Sequence, residues 1–182
     1  MKVNVLKDRN VLSREADDGS IENTYRLQIM NTGDRMLELV KNLLAENQLQ
    51  EGKMQFMPRL LTLASLVEGI VWEYKQVAAL KNITLHYTNA ATDTRAIVDE
   101  QAFAQIIDNL LSNAVKYSPH GKNIVVRLKT SNATVRVEVQ DEGQGISSED
   151  MPKLFGKFVR LSAQPTGGEH STGLGLSIVK GM

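Results

Sequence analysis

Cysteine is absent from all 182 residues. That removes disulfides, thiolate metal ligands and cysteine nucleophiles, and it fits a reducing compartment. An excess of either charge is also missing, because 21 basic residues balance 21 acidic ones. Without a basic field, nucleic acid and anionic membrane surfaces are not expected as partners. No apolar run reaches the ~18 residues of a membrane span; the longest, Leu60 to Trp72, is broken by Glu68. The N-terminus, Met1-Lys2-Val3-Asn4, lacks the apolar centre of a signal peptide. The chain itself is expected to be soluble and cytoplasmic, while a longer parent could carry a membrane anchor. There is no internal repeat and no low-complexity tract.

What is present is an ordinary globular composition, 42% hydrophobic and 23% charged. Its most organised stretch runs from Glu100 to Tyr117. On a 3.6-residue period, Phe103, Ile106, Ile107, Leu110, Leu111 and Ala114 share one side, the pattern of a core-facing helix. Gln105, Asn109, Ser112, Asn113 and Lys116 share the other, and Tyr117 sits at the border. This column of amides and an ammonium is either a solvated helix face or a place for a divalent cation and phosphate oxygens. Asparagine is a poor choice for a merely solvated face, where Glu, Lys or Arg serve the helix better.

Before it, residues 17–20 read as a turn with Ser20 as an N-cap. A helical pattern runs from Glu22 to Leu49. Ile29, Met36, Leu39 and Leu43 form one stripe, with Met30, Leu37, Val40 and Leu44 beside it. So wide an apolar face belongs to a bundle, which a second copy of the chain or a missing helix would complete. Residues 51–59 read as a linker. A second amphipathic helix is predicted from Leu60 to Leu80, then strands at Ile83–Tyr87 and Arg95–Val98, with Asp99 as the next N-cap. Two further strands, Ile124–Lys129 and Thr134–Gln140, follow the central helix. A short helix, Ser148–Leu154, comes next, and then a polar loop at 162–171. The order suits an α+β two-layer sandwich, with helices on one face of a mixed sheet.

Two glycine segments add chemistry. Asp141-Glu142-Gly143-Gln144-Gly145-Ile146 follows a strand. It is either a turn or a carboxylate held beside glycines that let a flat ring approach the backbone. Thr172-Gly173-Leu174-Gly175-Leu176 opens a helical pattern, either as packing glycines or as backbone amides placed for phosphate.

Taken in order, Asn109-x-x-x-Asn113, Asp141-x-Gly143-x-Gly145, Phe155-x-x-Phe158 and Gly173-x-Gly175 resemble the N, G1, F and G2 boxes of sensor histidine kinases. The catalytic ATP-binding domain of those proteins has the Bergerat-type fold shared with gyrase, Hsp90 and MutL. The resemblance covers residues 60–182, apparently cut short at the C-terminus. Residues 1–50 are similar to part of the dimerisation and phosphoacceptor domain.

The resemblance implies that ATP and Mg²⁺ are cofactors, with Asn113 holding the metal and Asn109 helping. Lys116 would reach phosphate and Tyr117 would pack near the nucleotide. Asp141 would take the adenine amino group, in a pocket shaped by Gly143, Gly145 and Ile146. Residues 156–172 would form a lid anchored by Phe155 and Phe158, with Arg160 near the terminal phosphate. Thr172, Gly173, Leu174, Gly175 and Leu176 would cradle the phosphates. Asn109, Lys116 and Arg160 would then be the catalytic set.

The γ-phosphoryl would pass to a histidine on the dimerisation helices of the kinase, a homodimer in its parent, and from there to an aspartate of a response-regulator receiver domain. The acceptor box, His followed by Glu or Asp and then Arg, is missing here. His86, His120 and His170 stand in other contexts, so the chain is not expected to phosphorylate itself. Ser171 replaces an earlier glycine of many relatives. The alternative is a non-catalytic module of the same superfamily that binds nucleotide or scaffolds a dimer. A hydrolysing clamp would need a glutamate near Asn109, since an amide cannot serve as a base. Protein-kinase and P-loop readings lack a His-Arg-Asp loop and a Gly-Lys-Ser/Thr segment.

Overall fold

The computed structural model describes residues 39–131 and 134–182, with isolated positions between 25 and 37. The turn at residues 17–20 and Met30 of the second stripe lie outside the described residues. Two compact units divide between Lys41 and Asn42. In the first, every described residue is helical, and Ile29, Met36, Leu37 and Val40 are exposed.

The second unit opens within a helix that ends at residue 50, and its part of that helix, residues 42–50, is α1. It begins earlier than the boundary expected at residue 50, because Ala45 and Leu49 pack with Leu174, Ile178 and Met182. Buried Glu46 joins the same contact, pairing with Lys157 at 2.6 Å and accepting from Ser177 Oγ at 3.1 Å. Leu43 and Leu44 on the same helix remain exposed.

Beyond α1 come β1 (Arg59–Thr62), α2 (Leu63–Ala79), β2 (Thr84–Asn89) and β3 (Arg95–Val98). Then follow α3 (Glu100–Tyr117), β4 (Asn123–Ser131), β5 (Thr134–Gln140) and α4 (Gly175–Gly181). The helix expected from Leu60 therefore starts at Leu63. Leu60 to Thr62 pair instead with β3, Leu60 opposite Ile97, and this strand pairing overrides a helical pattern read from spacing alone. The short helix expected at Ser148–Leu154 shrinks to a 3₁₀ turn at Met151–Lys153, with Pro152 inside it.

The main sheet has the order β2-β4-β5, with β2 parallel and β5 antiparallel to β4. It is mixed, as expected. α2 and α3 pack together against it, α2 along β2 and α3 toward β5. Their shared core holds Val67 and Val71 from α2, Ile107 and Leu111 from α3, and Ile124 and Val126 from β4. Asp99 caps α3 by accepting from the Ala102 amide at 2.9 Å, and its other oxygen takes the Met57 amide at 2.8 Å. With Arg59 paired to Glu100, these contacts fix where α3 begins.

Leu111 is fully buried at the centre of this layer. Leu111→Ala should cost about 2–5 kcal/mol in urea unfolding, and a loss below about 1 kcal/mol would contradict its central placement.

Candidate functional site

The polar side of α3 does not face open water. Gln105, Asn109, Ser112, Asn113 and Lys116 are all half-buried, because later parts of the chain lie across them. At the middle of the helix, Gly175 comes so close that a Cβ there would stand 2.8 Å from Asn109 Oδ1. A side chain at 175 would have to push the Asn109 carboxamide aside. The Nδ2 of the same carboxamide is buried and has no hydrogen-bond partner among the described residues. A buried donor left without a partner costs free energy, about 1–3 kcal/mol, until a ligand or water takes it.

At the C-terminal end of α3, Gly143 crosses the backbone of Tyr117. A Cβ on Gly143 would lie 2.9 Å from the Tyr117 carbonyl oxygen and 2.7 Å from Asp141 Oδ1. The Gly143 amide donates to that same Asp141 oxygen at 2.8 Å, which holds the carboxylate beside Tyr117. Asp141 is exposed and stands one residue beyond the end of β5. Asn109 and Tyr117 are separated by about 12 Å along the helix, at ~1.5 Å per residue. One extended ligand could span that distance.

The remaining expected residues divide. Gly173, at φ +71°, packs on the backbone of Phe158 and Val159, so the Phe155 segment and the glycine segment do meet. The Phe158 ring itself is 61% exposed, at a left-handed φ of +57°, and Phe155 is exposed as well. Lys180 of α4 lies over the Phe155 ring, 5.8 Å from its centroid, while Phe158 meets the glycine segment through its backbone. Leu174 is fully buried against Ile178, so its side chain belongs to the core and only its main chain can face a ligand. Its amide donates to Thr172 Oγ1 at 3.3 Å. Gly145 takes φ +73°, while Ile146 and Arg160 are exposed and Leu176 is half-buried. His86 lies on β2 near Asn123, and His120 and His170 are exposed in turn and loop.

Spacing did not reveal what holds the loop at 162–171. Asp150, almost buried, accepts from the Ser162 amide at 2.8 Å and from its hydroxyl at 2.6 Å. Those bonds, the hydroxyl's foremost, hold its carboxyl below the ordinary range. Gln144 donates to the Gln164 carbonyl at 3.0 Å, and Thr166 and Glu169 are held by Lys81. Acids and amides in turns carry no periodic signal, so a single sequence could not have singled them out.

Known proteins resemble the chain over the region that holds these residues. The family model described as histidine kinase-, DNA gyrase B- and HSP90-like ATPase matches residues 98–182. The chain carries a histidine kinase-type ATPase domain. Among relatives similar to it, the sensor protein EvgS of Escherichia coli O157:H7 is 31% identical over 156 residues, 82% of this chain and 13% of EvgS. The sensor-like histidine kinase SenX3 of Mycolicibacterium smegmatis is 29% identical over 93% of this chain and 44% of SenX3. The chain thus spans less than half the length of either relative. Full-length ShkA, solved in complex with AMPPNP, shares the fold at a TM-score of 0.71 and 23% identity, over 82% of this chain and 31% of that one.

A second model, for the Ig-like fold at the C-terminus of FixG, matches residues 1–56. An Ig-like fold is all β, whereas the described residues from 25 to 50 are helical. No function is carried over from that match.

The two glycines of the ATPase domain's last segment separate fold from site. A methyl group at Gly173 meets backbone at 2.8 Å under a positive φ, whereas at Gly175 it meets only the tip of Asn109. Gly173→Ala should lower unfolding stability by about 1–3 kcal/mol. Gly175→Ala should melt near the parent temperature yet bind ATP roughly tenfold more weakly, through the displaced carboxamide. Parent-like affinity in Gly175→Ala would remove Asn109 from the site.

Proposed function

We propose that this ATPase domain binds Mg-ATP along the polar side of α3 and donates its γ-phosphoryl to a histidine on the dimerisation helices of its parent kinase. The observation that carries this reading is the pairing of Asn109 with Gly175 at one point of α3 and of Tyr117 with Gly143 and Asp141 at the other. Glycine backbone lies against the middle of α3 at Asn109 and against its C-terminal end at Tyr117.

In this reading the Asp141 carboxylate accepts the adenine amino group. It keeps the lone pairs for that bond even while one oxygen holds the Gly143 amide. Gly145 and Ile146 line the ring, and Tyr117 packs beside it. The unpartnered amide on Asn109 is a donor and suits a phosphate oxygen. Asn113, one turn on, then supplies the amide oxygen that Mg²⁺ prefers. Among the described residues no cluster of three His, Cys, Asp or Glu side chains is available to hold a metal, so a magnesium ion here would lean on amide oxygens and phosphate. When bound, the ion neutralises phosphate charge. Lys116 and Arg160 add positive charge from the protein, and Thr172, Gly173, Gly175 and Leu176 offer main-chain amides. Phosphoryl transfer needs mainly positioning and charge neutralisation, which these groups can supply.

Asn109 holds the place where a hydrolysing relative would carry a base. With an amide there, water is not activated, and the phosphoryl group waits for a better acceptor. That acceptor is a histidine outside this chain's three, and the receiver domain of a response regulator takes the group next. The exposed stripe of Ile29, Met36, Leu37 and Val40 supports a helical partner, a second copy of the chain in the parent homodimer.

Calorimetric titration with ATP, with and without Mg²⁺, tests the site. Asp141→Asn should weaken binding tenfold or more, roughly the worth of one charged hydrogen bond, with thermal stability retained. Asn113→Ala should shrink the Mg²⁺ enhancement. Unchanged affinity in the first variant, or an unchanged metal effect in the second, would overturn the assignment.

A further inference from the structure

Lys81 follows α2 in a turn closed by Asn82 at φ +54°, a place where a lysine ordinarily reaches into water. Here only 9% of its side chain is exposed. Its ammonium lies 2.8 Å from the Val115 carbonyl oxygen, 3.3 Å from that of Lys116, 2.8 Å from Thr166 Oγ1 and 2.9 Å from Glu169 Oε1. The two carbonyls are in the last turn of α3, where helix geometry leaves them without intrahelical donors and where the helix dipole is negative. The other two acceptors belong to the loop at 162–171. One buried cation therefore bridges the end of the nucleotide-site helix and the loop beside it.

Other bonds converge on the same joint. The Thr166 amide donates to the Lys116 carbonyl at 2.9 Å, and the Thr166 hydroxyl donates to the Ser118 carbonyl at 2.6 Å. The Glu169 carboxylate takes the Gly167 amide at 2.8 Å. Burial pulls the Glu169 carboxyl upward, but the Lys81 hydrogen bond and the two amide bonds outweigh it, leaving the group below its ordinary value. Further back, Asp150 grips Ser162 and Gln144 grips Gln164. The loop is fastened at its beginning, middle and end, and the last of these fastenings depends on charge.

We propose that Lys81 is a positioning residue that keeps the loop at 162–171 docked on the C-terminal turn of α3, and that releasing it speeds the departure of bound nucleotide. The kinetic half rests on the nucleotide-binding reading above; the docking half does not. A lysine serving only the core would hold carbonyls or contact apolar side chains. This one divides its hydrogen bonds evenly between the helix end and the loop.

Hydrogen–deuterium exchange on the nucleotide-free chain tests docking, with Lys81→Met and Glu169→Ala compared with the parent. Glu169 is on the loop and partly exposed, so its loss leaves Lys81 with three acceptors and the core intact. Both variants should exchange roughly tenfold faster across 162–171, while β2, β4 and β5 keep their protection. Unaltered exchange at 162–171 in Glu169→Ala, or a rise spread evenly over the whole domain in that variant, would overturn the proposal.

Stopped-flow release of a fluescent-labelled ATP analogue tests the second half. Dissociation should quicken at least about fivefold in both variants, and equal rates would refute a role in nucleotide retention. A parent chain that binds no analogue would refute the nucleotide reading, while the exchange result still decides the docking of the loop.

Discussion

Asn109 and Gly175 approach so closely that even a methyl group at 175 would displace the Asn109 carboxamide, and most of the site depends on that approach. It requires α3 to be two-faced. Ile107, Leu111 and Ala114 are drawn into the core by burial of apolar area, and this turns the asparagine column toward the later, glycine-bearing segments. It also requires α4 to be seated, which Leu174 and Ile178 accomplish by packing with Ala45 of α1. The hydrophobic effect sets both elements, and the polar groups between them are what remains when the apolar faces are satisfied. That remainder includes a buried amide donor with no partner among the described residues, the kind of unmet hydrogen bond a ligand can complete.

Much of this was legible in the sequence because it is periodic. The limits of α3 and β3, the strand character of β4 and β5, and the Asp99 cap all follow from spacing and capping chemistry. The meeting of Asn109 with Gly175, 66 positions along, could be inferred only from family likeness, since no local pattern encodes it. Strand β1 was missed because Leu60, Leu61 and Leu63 fit a helical stripe as well as a strand, and only pairing with Arg95–Val98 decides between them. Phe155 and Phe158 meet the last segment in different ways that spacing does not distinguish, Phe155 through its ring under Lys180 and Phe158 through its backbone at Gly173.

The loop at 162–171 is held by charge and hydrogen bonds far more than by apolar packing. Asp150 and Lys81 are buried and Glu169 is partly exposed, and each has specific partners there. Bonds of this kind are strong when complete and costly when half-made, so such a loop tends to be either docked or released. A segment with two discrete positions suits a site that must admit a charged ligand and then retain it. The same logic explains why the protein's ATPase-type domain carries buried ionic groups beside its glycine segments.

One ligand is expected to meet the amides of α3 and the glycine segments on either side of it. Two-dimensional ¹H–¹⁵N NMR of the chain, titrated with a non-hydrolysable ATP analogue and Mg²⁺, tests it most directly. The side-chain amides of Asn109 and Asn113 and the backbone amides of Gly143 and Gly175 should shift together and saturate at one common concentration. Separate saturation of the two ends, or an Asn109 amide that does not move while Gly143 does, would contradict it.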